Sequence, residues 1–315
     1  MTDPTRSIRT PWPWITAGLV VLLCVAAIVS SILASRRNEN AGVDPAKPLV
    51  FLMSADHGMR LTADRRAKLE ELLKKESGFE VKVEVAATPL EAIEAFGTRA
   101  DIGLLPIFQY LLARHEYGVQ AGLQVLRRNG PTGYAGVLVV RNADPILAVT
   151  DLAGKKIAYV DPYSTSGFIF PAKIVADAHI KVVPEFAGGH QMALDALRSG
   201  RVDAAATYSA AVAGDTGFRI IAQTDIIPNE PIFYRADLLP EKRDQLTKAF
   251  MKLAESGEGQ ELLSSLADIT GLQPSSDQDY LGVIATARAA GKSVFELVPE
   301  GVLVESRRRG IEYIP

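Results

Sequence analysis

The sequence has only one cysteine, Cys24, in 315 residues. A single thiol cannot close an internal disulfide or form a cysteine metal cluster, so neither feature can hold this chain together. Basic residues are not in surplus, because 34 lysines and arginines stand against 37 aspartates and glutamates. A nucleic-acid partner is therefore not expected, and any anion site has to be built locally rather than from an overall positive charge.

Motifs of the common enzyme classes are absent as well. The four histidines do not have HExxH spacing, and the sequence has no P-loop, no GxGxxG after its first strand and no GxSxG turn. We therefore expect no catalytic residue, no metal site and no cofactor, and we predict a binding protein rather than an enzyme. A sparse carboxylate site is the enzymatic alternative that this pattern leaves open.

One uncharged apolar run, residues 15–34, follows a short N-terminal tail of residues 1–14. The run is long enough for a helix across the ~30 Å hydrocarbon core of a bilayer, and two tryptophans stand just before it. We predict a transmembrane anchor there, followed by a polar linker over residues 35–48. A cleaved signal segment is the alternative. Lipid attachment at Cys24 fits less well, because Leu23 stands where a small residue is required.

Strand and helix patterns alternate from Leu49 onward. Leu49–Met53 is short and apolar like a buried strand, residues 63–76 have helical periodicity, and residues 134–141 form another strand pattern. Such alternation predicts an α/β fold with largely parallel sheets. Residues 240–291 have an almost wholly helical pattern.

Three consecutive hydroxyl residues, Ser164, Thr165 and Ser166, precede Gly167 at a junction between a strand pattern and a helix pattern. The first turn of a helix has unpaired N–H groups and a partial positive charge, and hydroxyls add donors without adding charge. The turn therefore suits a tetrahedral oxyanion without needing lysine or arginine. An ordinary serine-rich helix cap is the alternative.

Two further polar turns fit the same ligand chemistry. His190 opens another helix pattern after a strand, and an imidazole can donate one or two hydrogen bonds to an oxyanion. Glu230 stands in a proline-bounded turn, where a carboxylate can accept a P–OH hydrogen bond or pair with an amine on the ligand. Taken alone, His190 is more typical of a structural histidine, and Glu230 of a glutamate in a surface turn.

Between residues 100 and 280 the sequence resembles the PhnD-type phosphate, phosphite and phosphonate-binding proteins of ABC transporters, a family with the type II periplasmic-binding-protein fold. The resemblance rests on several spaced motifs that occur in the family's order. These motifs are Asp151-Leu-Ala-Gly-Lys155, Asp161-Pro162, Ser164-Thr165-Ser166-Gly167 with Pro171, Gly189-His190, Val202-Asp203 and Ile227-Pro-Asn-Glu-Pro-Ile232.

The resemblance implies an oxyanion site between two lobes. Its implied ligand-binding residues are Ser164, Thr165, Ser166, Gly167, His190 and Glu230. The family's aromatic pair in the first lobe is missing here, because Pro89 and Leu105 stand at those positions. Further candidates for the wall or rim of the cleft are Leu105, Tyr134, Tyr208 and His57.

The resemblance also implies how the lobes are divided along the chain. Each lobe has a parallel or mixed sheet with flanking helices, and two crossover strands join them. Lobe 1 takes residues 45–138 and 233–291, lobe 2 takes residues 139–232, and residues 292–315 form a C-terminal tail. The lobes are expected to close on the ligand bound between them.

These features predict a membrane-tethered extracytoplasmic solute-binding protein of a bacterial ABC importer, held in the inner membrane by a single span with its binding domain on the periplasmic side. Its expected partners are a small phosphorus oxyanion (phosphonate, phosphite or phosphate), the ABC permease subunits and the lipid bilayer through residues 15–34. The alternative is a membrane-anchored ligand sensor or scaffold of the same fold, because a diffusing carrier needs neither the anchor nor the arginine-bearing tail.

Overall fold

The computed structural model describes residues 47–58, 60–128 and 130–289. The predicted N-terminal tail, the predicted anchor at residues 15–34, nearly all of the linker and the C-terminal tail at residues 292–315 lie outside this part of the chain. None of the described helices combines the length and the hydrophobicity that crossing a bilayer requires.

Eleven strands occur in the described residues. In chain order they are β1 (Leu49–Met53), β2 (Val81–Val85), β3 (Ile102–Leu104), β4 (Gln120–Arg127), β5 (Gly133–Arg141), β6 (Lys156–Tyr159), β7 (Val183–Phe186), β8 (Ala204–Tyr208), β9 (Phe218–Pro228), β10 (Pro231–Tyr234) and β11 (Ile269–Pro274). They form a six-stranded sheet in the order β11-β4-β10-β3-β1-β2 and a five-stranded sheet in the order β7-β6-β8-β5-β9.

Both sheets mix parallel and antiparallel pairs. In the first sheet β1 is parallel to β2 and β3, whereas β10 is antiparallel to β3 and β4. In the second, β6 is parallel to β7 and β8, whereas β5 is antiparallel to β8 and β9. Burial depends on the position of a strand in the sheet. Strand β1 lies between β3 and β2 and is apolar and almost wholly buried, whereas the edge strand β2 exposes Lys82 between buried Val81 and Val83. The predicted α/β fold with two sheets is confirmed. The prediction of largely parallel sheets is wrong, because five of the nine described strand pairs are antiparallel.

Nine α-helices flank the sheets in the described chain. They are α1 (Ala55–Gly58), α2 (Ala63–Ser77), α3 (Pro89–Glu94), α4 (Ile107–Tyr117), α5 (Phe170–Asp177), α6 (His190–Arg198), α7 (Pro240–Glu255), α8 (Gly257–Ala267) and α9 (Leu281–Ala289). The Thr88 hydroxyl accepts from the Glu91 N–H at the start of α3, where Pro89 occupies the first turn.

The chain crosses between the sheets twice, once after β4 and once between β9 and β10. Asn229 ties the two crossings together, because its side-chain amide donates to the carbonyls of Gly130 and Pro131, both at 3.0 Å. Its backbone N–H also donates to the Thr132 carbonyl at 3.2 Å. In return, the Tyr280 hydroxyl donates to the Asn229 carbonyl at 3.1 Å, which attaches the segment before α9 to the same point.

One apolar cluster spans both sheets. Helix α4 is apolar on most of its surface and is buried from Ile107 to Ala113, as expected for a helix enclosed on all sides. Its Phe108 belongs to the same buried cluster as Ile169 and Phe170, which come from the start of α5 beside the second sheet. The two halves of the molecule therefore share apolar packing beside the crossings.

Two sequence predictions need adjustment. Residues 240–291 are not almost wholly helical, because Asp268 takes a left-handed conformation that ends α8, and buried Ile269 and Leu272 then enter β11. Strand β5 pairs with β9 along its whole length, from Gly133 to Arg141, so the first crossing lies before residue 133 rather than at 138. The lobe limits as such stay a prediction.

Candidate functional site

A cavity of about 470 Å³ lies between the two sheets, beside the crossings. The crossings contribute Arg127, Arg128, Gly130, Asn229 and Glu230 to its lining. The second sheet and its helices contribute Tyr134, Ser166, His190, Tyr208 and Ala210, and the first sheet's side contributes Ser264, Asp268 and Thr270. Residues that are far apart in sequence therefore meet around one space.

The three hydroxyl side chains of the turn, Ser164, Thr165 and Ser166, have different positions and roles. Ser164 acts as a cap, since its hydroxyl accepts from the Gly167 N–H at 3.0 Å and its carbonyl accepts from the N–H of Phe168. Thr165 is buried and is not among the lining residues. Ser166 is also buried, and it alone of the three lines the cavity. The turn thus contains both the predicted cap and a residue at the predicted anion site.

Two glycines let this turn sit close to the second sheet. A Cβ atom at Gly167 would lie 2.3 Å from Cγ2 of Val160, at the end of β6. A Cβ atom at Gly136, in β5, would lie 3.1 Å from the carbonyl oxygen of Ser166. The Gly136 N–H also donates to the Thr224 hydroxyl at 2.9 Å, which fixes the neighbouring strand. These close approaches determine where Ser166 stands at the cavity wall.

His190 stands at the first position of α6 and lines the cavity, and its ring contacts two neighbouring side chains. Its Nδ1 lies 3.0 Å from the Thr207 hydroxyl, and its ring meets the Tyr208 ring edge to face with centroids 4.8 Å apart. Burial lowers the pKa of His190 to about 4, so the imidazole is neutral near pH 7. A neutral imidazole offers an oxyanion a single hydrogen bond and no charge.

Tyr134 and Tyr208 form an aromatic corner of the cavity. Their rings meet edge to face with centroids 6.4 Å apart. Burial, and to a smaller extent the nearby Glu230 carboxylate, raises the pKa of Tyr134. Its hydroxyl therefore stays protonated and can donate a hydrogen bond. Both tyrosines were predicted from the sequence only as candidates for the wall or rim of the cleft. The fold brings them next to His190 and Ser166.

Glu230 is engaged in an ion pair with Arg127, which the sequence analysis did not single out. Nη2 of Arg127 lies 2.8 Å from Oε2 of Glu230, and both side chains are largely buried. The Glu230 carbonyl also accepts from the Val125 N–H at 3.1 Å, which holds the second crossing against β4. The pair Arg127-Arg128 after an alternating stretch was the only sequence signal, and it matches no motif.

Other predicted residues lie elsewhere. Leu105 is fully buried in the apolar cluster with Phe108 and does not line the cavity, because it leads from β3 into the enclosed helix α4. His57 lies in α1, and its side chain is outside the part of the structure that is described. Gly167 supports the turn rather than the lining. The assignment of all these residues as ligand contacts stays a prediction.

The polar side chains of the cavity come from several separate elements. Within the described residues, no group of three or more histidine, cysteine or acidic side chains could hold a metal ion. Neutral donors from Ser166, His190 and the tyrosines converge from one wall, while the Arg127–Glu230 pair stands at the crossings. Such preformed polar groups around a concave space are typical of a small-molecule site.

Comparison with protein families gives one match over most of the chain. Residues 52–280 match the family described as ABC transporter, phosphonate, periplasmic substrate-binding protein. Among curated relatives, the chain is 26% identical over 294 residues to the phosphate-import protein PhnD of Mycolicibacterium smegmatis, covering 82% of this chain and 91% of that protein.

Solved structures with the same fold include two further proteins of this kind. PhnD1 from Prochlorococcus marinus, in complex with methylphosphonate, has a TM-score of 0.64 at 16% identity and covers 79% of this chain and 100% of its own. A binding protein component of an ABC phosphonate transporter from Pseudomonas aeruginosa has a TM-score of 0.59 at 17% identity, covering 84% and 99%. At these identities the structural likeness establishes the fold alone.

Proposed function

The chain belongs to the family of periplasmic substrate-binding proteins of phosphonate ABC transporters, and from this premise we propose that it binds a small phosphorus oxyanion in the cavity between its two sheets. The ligand is a phosphonate, phosphite or phosphate, and the M. smegmatis relative, named for phosphate import, supports including phosphate. One observation carries the proposal: Ser166 and His190, from separate helix starts, line the same cavity.

The ligand is held mainly by neutral donors. The Ser166 hydroxyl, the first N–H groups of its helical turn, and the hydroxyls of Tyr134 and Tyr208 donate to the phosphorus oxygens, and His190 adds one more hydrogen bond. Hydrogen bonds to a charged acceptor are about twice as strong as neutral ones. An anion can therefore be bound tightly here although the chain as a whole has a net charge of −3.

Release and delivery depend on movement about the two crossings. A ligand that contacts Ser166 and His190 on one side and the first-sheet side on the other favours the closed arrangement, because only closure completes its contacts. The closed protein then presents the ligand to the permease subunits of an ABC importer, where opening releases it. Catalysis has no part in this cycle.

We extend the proposal to the N-terminal segment. Residues 15–34 tether the binding domain to the inner membrane on its periplasmic side, in place of a cleaved signal segment. Intact-mass measurement of the protein from the membrane fraction tests this, since a mass lacking the first 34 residues contradicts the tether. Co-purification with permease subunits supports import, whereas co-purification with a signalling protein supports the sensor alternative.

Calorimetric titration of the full-length chain tests the ligand class. We expect micromolar or tighter binding of at least one of methylphosphonate, phosphite and phosphate, and no comparable heat with sulfate or taurine. Ser166→Ala should weaken binding by ~1–3 kcal/mol, because it removes a buried donor to a charged ligand. Ser199→Ala, an exposed serine at the end of α6, is the matched control and should bind as the parent does.

Two results contradict the proposal. No heat with any of the three phosphorus ligands would exclude this ligand class. Unchanged affinity of Ser166→Ala, with binding otherwise present, would place the anion elsewhere in the protein.

A further inference from the structure

The cavity contains a carboxylate that already has a cationic partner. Glu230 is 15% exposed and Arg127 24% exposed, and their 2.8 Å contact joins Oε2 to Nη2. Both residues belong to the crossings, β4 supplying Arg127 and the turn before β10 supplying Glu230. The pair is therefore part of the hinge region rather than a surface contact that solvent would weaken.

The second lining carboxylate, Asp268, is in a different situation. It lies 3.3 Å from the guanidinium of Arg60, but both side chains are exposed, so solvent weakens this pair. Arg128 also lines the cavity and has no ion pair within the described residues. Each lining carboxylate thus has a guanidinium partner, and one further guanidinium stands beside them.

These contacts determine which phosphorus ligands suit the site. A ligand ammonium needs a carboxylate in return for the water it loses on entering the cavity. Here it would have to compete with Arg127 for Glu230 and would stand near the like charge of two arginines. An alkyl group has no such requirement and can pack on the Tyr134–Tyr208 corner.

Resting on the proposed function, we propose that the cavity selects phosphorus oxyanions without an ammonium group and rejects aminoalkylphosphonates, and that Arg127 is the specificity-determining residue. Arg127 acts by occupying the Glu230 carboxylate. The acidic residue of the second crossing is then a partner of the protein's own cation and not a receptor for an amine.

A matched pair of ligands tests this on the unaltered full-length chain. 2-Aminoethylphosphonate and propylphosphonate have nearly the same shape, and they differ in having an ammonium or a methyl group at the chain end. We expect propylphosphonate to bind at least tenfold more tightly in calorimetric titration. Equal affinity, or tighter binding of 2-aminoethylphosphonate, overturns the inference.

A matched pair of variants tests the role of Arg127. Arg127→Gln leaves Glu230 without its guanidinium, so the affinity ratio should shift at least tenfold toward 2-aminoethylphosphonate. The double variant Arg127→Gln/Glu230→Gln removes both charges, and its ratio should stay near that of the parent. An unchanged ratio in Arg127→Gln, or the same shift in both variants, contradicts the assignment.

A third variant keeps the test decisive if Arg127→Gln fails to fold. Glu230→Gln keeps the arginine and removes its carboxylate partner in the cavity, so both phosphonates should bind more tightly through their phosphorus oxygens while propylphosphonate keeps its advantage. An affinity ratio that shifts toward 2-aminoethylphosphonate in Glu230→Gln would refute the inference. If none of the phosphonates, phosphite or phosphate binds the parent, the proposed function itself fails, which is a different result from binding with the wrong ratio.

Discussion

At the scale of single residues, burial decides how the site treats charge. His190 is enclosed by Thr207 and Tyr208, and the pKa of its imidazole falls to about 4 because burial disfavours the charged form. His190 therefore contributes a neutral imidazole to the proposed anion site. A change from pH 8 to pH 6 should leave its protonation unaltered.

The same histidine predicts an acid-sensitive stability. Its folded-state pKa lies below the ordinary value of 6.5, so only the unfolded chain takes up this proton as the pH falls between the two values. The contribution of His190 to the free energy of unfolding is complete above about pH 6.5, declines toward pH 4 and is then constant, a loss of ~2–4 kcal/mol. Urea unfolding at several pH values measures it.

His190→Gln should remove that part of the pH dependence. The matched control is His179→Asn, at an exposed position with a left-handed backbone that asparagine tolerates, and it should keep the parent's profile. If His190→Gln and the parent lose the same free energy between pH 7 and pH 4.5, His190 is not the group responsible.

Five of the thirteen described residues that line the cavity were proposed from the sequence, and Arg127 was not among them. Ser166 and His190 stand at helix starts, where anion binding has a sequence pattern, and Glu230 stands in a turn with a recognisable motif. Arg127 ends a strand and gains its role only because the second crossing brings Glu230 to 2.8 Å. Such a pair is created by tertiary structure and has no local signal.

At the scale of elements, the Ser164–Gly167 turn can pack against the end of β6 only because Gly167 has no side chain. Gly167→Ala would place a Cβ atom 2.3 Å from Val160, so the turn or the strand end has to shift. Overpacking of this kind costs ~1–3 kcal/mol. We expect that loss in the free energy of unfolding, together with weaker ligand binding because Ser166 moves with the turn.

Two further variants identify the cause. Gly257→Ala, at the start of α8, meets nothing within 4 Å and should be neutral or slightly stabilising. Val160→Ala combined with Gly167→Ala should lose less stability than the two single changes added together, because the smaller side chain makes room. Strict additivity would mean that the contact with Val160 is not the reason.

The elements themselves were predictable to different degrees. Alternating strand and helix patterns predicted the α/β class and the helix start at His190. Strand β11 was missed because it is short and interrupts a long helical pattern, and only the left-handed turn at Asp268 separates it from α8. Strand β4 was missed because its alternation is blurred by polar residues that face the neighbouring crossing, such as Gln124.

At the scale of the whole molecule, the shared apolar cluster couples the two sheets. Phe108 from the first and Phe170 from the second belong to one buried set, so one half cannot unfold without exposing apolar surface of the other. We expect a single unfolding transition for the described domain. A saturating phosphorus ligand at a hundred times its Kd should stabilise it by about 2.7 kcal/mol, a rise of ~5–10 °C in Tm.

Calorimetric scanning with and without ligand measures both effects. Ser166→Ala should show a smaller rise at the same ligand concentration, while Ser199→Ala should match the parent. Two resolved transitions, only one of which moves with ligand, would show that the halves unfold independently.

The fastening of both crossings by Asn229 limits how the protein can open. Two strands joined at one point leave little freedom except rotation about the line that passes through them. In the proposed closure, atoms near that axis move little, whereas Ser166 and His190 on one side and Ser264 on the other move further. Arg127 and Glu230 lie beside the axis, so in the proposed closure their positions are the same in the open and closed states. They can therefore exclude an unsuitable ligand before the protein closes.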